Sequence, residues 1–309
     1  VAERIDEKIS CPPLDAAWIR AHPMPMPSGD VDKNARGRVL VIGGCLQVPG
    51  GIRLTAEAAL RAGAGKVRIG TIASAVISIG VLFPEAGMLP LAEGFTGEID
   101  VDAEVLAPDL ARCDAVVVGP AMACARHASR LIGAVLDVMA GSVSGAGERG
   151  LVIDASALMT LGDHAARLQA RRTPCIVTPH LGEMAGLLGC EPSEIERDRI
   201  AAVGQAAKRF HAVVVLKGGT TLVANPAGNC FAYTGGNIGL ATGGSGDVLA
   251  GIVGALLARG LAPWEAALWA VWLHGEAGRQ CEETIGPVGY LARELLAVLP
   301  KVMDTTPDC

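Results

Sequence analysis

The chain has 309 residues, with 26 Lys and Arg against 32 Asp and Glu, and its formal net charge of −6 argues against a nucleic-acid or anionic-membrane partner, both of which need a basic face. It is 50% hydrophobic but only 3% aromatic, so the core must be aliphatic, and its 40 glycines favour helices packed closely on a sheet. An anionic ligand must then be held by backbone N–H groups and a few placed cations.

Residues 1–33 predict an N-terminal arm, in which His22-Pro23-Met24-Pro25-Met26-Pro27 reads as an extended run over the surface. Residues 34–309 form the domain proper. The first twenty residues lack the apolar core of a signal peptide, and the apolar stretches 248–258 and 266–273 are too short to span a bilayer. The expectation is a cytoplasmic protein. Nine cysteines, odd in number and without a C-x-x-C pair, read as reduced and mostly buried, not as a disulfide frame or zinc site.

Short β-branched runs at 38–42, 66–71, 115–118, 151–154, 175–178 and 212–217 predict buried parallel strands. Helices are expected over 52–62, 127–139, 182–188 and 193–210, the last opened by a capping box of Ser193 and Glu196. Residues 140–150 read as a flexible loop. Residues 221–225 and 229–234 flank Pro226-Ala227-Gly228 as an edge hairpin, and two apolar helices, 247–259 and 263–281, close the domain. This alternation implies a three-layer α/β/α sandwich with a mostly parallel sheet and ligands at the carboxyl ends of its strands.

No Walker A motif, G-x-G-x-x-G, H-E-x-x-H or G-x-S-x-G occurs. What does occur is Thr242-Gly243-Gly244-Ser245-Gly246-Asp247, running into an apolar helix. Glycines around one serine let successive N–H groups converge on phosphate oxygens, aided by the helix N-terminus. Asp247 stands at the edge of this nest, where it can accept the proton of a substrate hydroxyl during phosphoryl transfer. An isolated Gly-Asp pair would more simply cap a helix; the glycines and the long apolar helix favour the catalytic role.

Lys217-Gly218-Gly219-Thr220-Thr221 makes a second polar cradle suited to ribose and phosphate, although a strand-end lysine usually just reaches solvent. Asp154, which would cap a helix beginning near Ala157, joins His180, Glu183, Lys217 and Asp247 on one rim.

Taken in order, several motifs resemble the NAD(P)H-hydrate dehydratases, a branch of the ribokinase-like superfamily, over roughly residues 32–300. They are Gly37–Gly44, Ala58–Gly65, Val118-Gly119-Pro120, Val152–Ala155, Thr178-Pro179-His180 with Gly182-Glu183, Leu216-Lys217-Gly218, Ala241–Gly251 and Leu273-His274-Gly275. The resemblance implies phosphorylation of the hydroxyl of the S form of NADH or NADPH hydrate by ADP or ATP with Mg²⁺, followed by loss of phosphate to restore the ring. It implies that Asp247 is the base and that Gly244, Ser245 and Gly246 stabilise the transferring group. Gly51, Gly119 and His180 would contact the hydrate. Lys217, Gly218, Gly219, Thr220, Thr221, Asn237, Thr242, Gly243 and Gly246 would bind the nucleotide. No residue set is assigned to a metal.

Departures are Ala121-Met122-Ala123 in place of a glycine-rich turn, Ser156 in place of an acid, Leu181 in place of Pro, and Gly51 where many members carry Ala. No epimerase domain precedes this one, so a separate epimerase is expected, as is the homotetramer common in the family. A vitamin-precursor alcohol kinase of the same superfamily is the alternative.

Overall fold

The computed structural model describes residues 11–26, 32–141 and 148–304. Parts of the expected arm (1–10 and 27–31, including Pro27) and most of the loop at 140–150 (142–147) lie outside the described residues. Nine strands form one sheet: β1 (Arg38–Ile42), β2 (Lys66–Ile72), β3 (Gly87–Leu91), β4 (Ala115–Val118), β5 (Gly150–Ile153), β6 (Cys175–Val177), β7 (Ala212–Leu216), β8 (Thr221–Ala224) and β9 (Cys230–Tyr233). The helices are α1 (Ala16–Ala21), α2 (Gly51–Arg61), α3 (Val76–Leu82), α4 (Ala103–Leu110), α5 (Ala125–Gly141), α6 (Ala165–Gln169), α7 (Leu181–Leu188), α8 (Pro192–Arg197), α9 (Arg199–Phe210), α10 (Ser245–Ala258), α11 (Pro263–Thr284) and α12 (Ala292–Asp304).

The strand order is β3-β2-β1-β4-β5-β6-β7-β8-β9, parallel from β3 through β7 and antiparallel in the β8–β9 hairpin. The central strands are buried on both faces, which is why they read as unbroken Val and Ile runs. The order reverses between β1 and β4, so the loops leaving these strands part there and open a crevice at their carboxyl ends.

α10 is buried along nearly its whole length, packed against α2 and on β1, β4 and β5, with α11 and α12 beside it. Its tight seat needs Gly251, where a Cβ would strike the Thr55 carbonyl and the Ala58 side chain of α2. α9 packs on β7 and β8 and carries α6, α7 and α8 against it.

Three local expectations are corrected. The helix expected over 193–210 is two, because Asp198 leaves helical geometry (φ −149°, ψ 77°) and its Oδ1 accepts from the Ala201 N–H at 2.9 Å, starting α9. The capping box of α8 is Glu191 with Glu194, and Ser193 lies inside that helix. The cysteines are not all reduced: Cys11 and Cys230 form a disulfide between Cα atoms 4.7 Å apart. With 219 residues between the partners, no local spacing announced the pair.

The arm is not extended throughout, since it contains α1, whose N-cap Asp15 accepts from the Trp18 N–H at 3.0 Å. Beside the disulfide it pairs with β9 through Leu14 N–H to Ala232 O (2.8 Å) and Ala232 N–H to Pro12 O (2.9 Å), which covers an otherwise open sheet edge. Further along, Trp269 Nε1 donates to His22 O and Arg259 to Pro25 O.

Candidate active site

The chain enters α10 through Gly244, which has φ +89° and serves as the N-cap. A side chain there would be strained and would also meet Leu54 at 2.5 Å. The turn leaves the first N–H groups of α10 without carbonyl partners inside the helix. The Ser245 N–H is taken by Thr242 O at 3.3 Å, so the N–H groups left to form an anion nest are those of Gly246 and Asp247, the second and third helical positions.

The Ser245 end of this nest is anchored from α11. His274 Nε2 lies 3.0 Å from Ser245 O and 2.9 Å from Ser245 Oγ. A carbonyl only accepts, so Nε2 carries the proton and spans both oxygens, which frees the serine hydroxyl proton for another acceptor. Burial pulls the His274 pKa down to about 4, so the ring is neutral near pH 7. Sequence reading placed His274 in a motif but gave it no role; only the fold brings it beneath the nest.

Asp247 has its pKa pushed up to about 7, first by burial and then by the Asp154 carboxylate, with Lys217 pulling the other way. Its Oδ2 faces residues 51 and 244: a Cβ on Gly51 would stand 3.6 Å from it, and one on Gly244 3.9 Å.

Lys217, just past the end of β7, is only partly exposed and turns its ammonium back onto carboxylates. Its Nζ lies 3.3 Å from Asp154 Oδ1 and 3.8 Å from Glu183 Oε2, and a Cβ on Gly246 would stand 3.2 Å from it. Burial works against its charge, but Asp154, Glu183 and Asp247 outweigh burial and hold the ammonium above its ordinary pKa. Asp154 also accepts from Thr178 Oγ1 at 2.6 Å and makes no side-chain cap, contrary to the helix-capping alternative, because the lysine and threonine take its carboxylate instead.

The remaining candidates fall into two groups. Gly119 lies against the backbone of Asp154, where a Cβ would overlap the carbonyl. His180 caps α7, its Nδ1 accepting from the Gly182 and Glu183 N–H groups at 3.0 and 3.2 Å, with Nε2 3.5 Å from Glu183. These residues join Gly51, Gly244, Gly246, Lys217 and Asp247 around the crevice. Gly218, Gly219 and Thr220 lie in the β7–β8 turn and Thr221 opens β8; Arg199 braces the turn by donating to Thr220 O at 2.8 Å. No sequence motif pointed to Arg199. Thr242 accepts from the Ser245 N–H through its carbonyl, and Gly243 has open space where a side chain would stand. Asn237 is held by Tyr290 at 2.6 Å, and its buried Nδ2 has no hydrogen-bond partner.

A separate cleft of about 490 Å³ opens at the amino ends of β1, β2 and β3, on the opposite sheet edge. Two of its cations, Arg38 and Arg68, are paired with Asp114 and Asp109.

A family model described as NAD(P)H-hydrate dehydratase matches residues 39–301. The chain belongs to this family. It is 41% identical over 295 residues to the ADP-dependent (S)-NAD(P)H-hydrate dehydratase of Xanthomonas campestris pv. campestris, covering 95% of this chain and 96% of that one. It is 35% identical to a bifunctional NAD(P)H-hydrate repair enzyme of Moorella thermoacetica, where 94% of this chain spans only 53% of the relative. The ADP/ATP-dependent NAD(P)H-hydrate dehydratase of Bacillus subtilis, co-crystallised with ATP/Mg²⁺, superposes with a TM-score of 0.78 at 27% identity, over 97% of this chain and all of that one. The fold is therefore that of the ribokinase-like dehydratases, with a mostly parallel sheet between helices.

Proposed function

We propose that this chain dehydrates the S form of NAD(P)H hydrate back to NAD(P)H at the expense of ADP, with ATP as the other candidate donor, releasing AMP (or ADP) and phosphate. The observation that carries the reading is Asp247: a half-buried carboxylate set between the α10 nest and the β1–β4 crevice, its pKa pushed up to about 7. A base of that pKa is half deprotonated at neutral pH and still takes up a proton readily.

Asp247 takes the proton of the hydrate hydroxyl as its oxygen attacks the terminal phosphoryl group. The new O–P bond forms while the bond to the departing nucleotide breaks. The N–H groups of the nest, the Ser245 hydroxyl and Lys217 balance the charge on the transferring group. Phosphate then leaves with the C–O bond electrons as the neighbouring ring carbon loses a proton, restoring the double bond. Gly51, Gly119 and His180 border the hydrate. Lys217, the Gly218–Thr221 segment, Asn237, Thr242, Gly243 and Gly246 hold the nucleotide.

Among the described residues no group of three or more His, Cys, Asp or Glu side chains is placed to hold a metal ion. Asp154 is already engaged by Lys217 and Thr178, so Mg²⁺ would be held as nucleotide sites commonly hold it, mainly by phosphates and water. There the ion would neutralise phosphate charge.

The same proposal takes residues 1–33 as an arm and 34–309 as the catalytic domain, acting in the cytoplasm beside a separate epimerase that supplies the S form. Exposed Ile77, Val81 and Leu82 on α3 offer apolar surface for assembly as a tetramer. The test is to incubate the protein with NADH hydrate, ADP and Mg²⁺ and follow dihydronicotinamide absorbance and inorganic phosphate. Recovery of both in step supports the dehydratase; no recovery under any adenine nucleotide sinks it.

A further inference from the structure

Ala121 is one of few non-glycine residues with a left-handed backbone, at φ +56°. Such a conformation persists only where the surroundings fix it. They do so here on both sides. Pro120 O accepts from the Gly44 N–H at 2.9 Å, Met122 O accepts from Ser156 Oγ at 2.7 Å, and Glu98 Oε1 accepts from the Ala123 and Cys124 N–H groups at 3.0 and 2.8 Å. The Ala121 methyl is thereby held against the first residue of α2. A Cβ on Gly51 would stand 2.7 Å from the Ala121 Cβ and 3.6 Å from Asp247 Oδ2. Only one methyl fits between these two loops, and it belongs to residue 121.

We propose that Ala121 and Gly51 form a specificity-determining pair, in which the single methyl sets the clearance beside Asp247 for the hydroxyl-bearing ring of the hydrate. The proposal rests on Asp247 being the base. Apolar carbons settle about 3.5–4.0 Å apart, so a second methyl forces the loops apart by about 1 Å. Residue 51 adjoins the carboxylate, and a displacement of that size at a reacting group can cost up to about 100-fold. The nucleotide residues on the β7–β8 turn lie outside this contact.

The test uses the full chain as wild type, Gly51→Ala, Ala121→Gly and the double variant. Each is measured for hydrate KM, ADP KM, kcat and Tm. Gly51→Ala is expected to raise hydrate KM by about 10-fold or more while moving ADP KM less than about 2-fold. Overpacking should lower Tm by on the order of 2–4 °C. Ala121→Gly removes a left-handed alanine and should hold or raise Tm. The double variant should recover most of the hydrate KM and the Tm lost by Gly51→Ala. A double variant as impaired as Gly51→Ala, or a Gly51→Ala hydrate KM within about 2-fold of wild type, overturns the pair. Full turnover by Asp247→Ala would instead overturn the choice of base, while the Tm cycle still reports the steric coupling.

Discussion

The two halves of the site are built from different materials. On the β1–β4 side, the crevice is walled by close backbone and single methyls: Gly51, Gly119, Ala121 and the N-cap Gly244. On the β6–β7 side, it is walled by charge, with Lys217 shared between Asp154 and Glu183. Asp247 sits between them, its oxygen toward Gly51 and its charge coupled to Lys217 and Asp154. A neutral ring suits the first wall and phosphate the second. Damage to the first should therefore appear in recognition of the hydrate, and damage to the second in phosphoryl transfer and nucleotide binding.

Removing the residue between the halves should cost most. Asp247→Ala is expected to lower kcat by about 10²–10⁴-fold, the usual worth of a positioned base, with adenine-nucleotide binding retained. Titration calorimetry with ADP beside the turnover assay checks both; unchanged turnover would remove Asp247 from the mechanism. Next is Lys217→Met, which strips a counter-charge from the nest and leaves the buried Asp154 carboxylate unpaired. A loss of about 10²–10³-fold in kcat is expected, with a drop in stability of about 3 kcal/mol in urea unfolding. A Lys217→Met variant that kept both would show the charged wall to be decorative.

Much of this division was legible beforehand, for reasons that differ by element. β1 and β4 were predicted with their observed bounds because strands buried on both faces leave uninterrupted Val and Ile in the sequence. β3 was missed: it lies at the sheet edge, and Pro90 and Gly87 break any strand pattern that an edge position tolerates. α4 and α12 carry Pro108 and Pro300 inside them, which hid their periodicity, and the exposed apolar side of α3 gave no amphipathic signal. At the site, the glycines of the nest announced themselves, because backbone approach needs residues without side chains. The lysine was visible as a residue but not as a partner of Asp154, because the two are 63 positions apart. His274 and Arg199 act through side-chain reach to distant backbone, which no local pattern encodes.

The pH dependence sharpens the position of Asp247 between the two walls. With its pKa at about 7, kcat/KM should fall about tenfold per pH unit below that value and level off above it. Asp247→Asn should lose this limb with the activity. Stability moves the opposite way. Between the ordinary carboxylate value of about 4 and about 7, the folded chain keeps a proton that the unfolded chain has lost. Unfolding free energy attributable to this group therefore declines as pH rises through that window, and Asp247→Asn should flatten the decline. His274 does not contribute to the limb, since its pKa lies near 4. His274→Ala instead leaves Ser245 O and Oγ without their shared donor, for about 1–3 kcal/mol of stability and roughly tenfold in kcat. Equal kcat in that variant would mean that the nest holds Ser245 without help from α11.

The smallest expected effect tests whether the walls are separable at all. Arg199 braces the β7–β8 turn through Thr220 O, and its guanidinium would stand 2.9 Å from a Cβ on Gly218; among the described residues it makes no hydrogen bond to Asp247 or the β1–β4 crevice. Arg199→Ala removes one charged hydrogen bond to a partly exposed carbonyl, worth about 1 kcal/mol, and so should raise ADP KM about 5-fold. Hydrate KM should stay within about 2-fold, because a contact this remote has no shared partner with the Gly51 loop. A parallel rise in both constants would mean that the turn and the crevice move together, and that the charged wall and the packed wall act as one body.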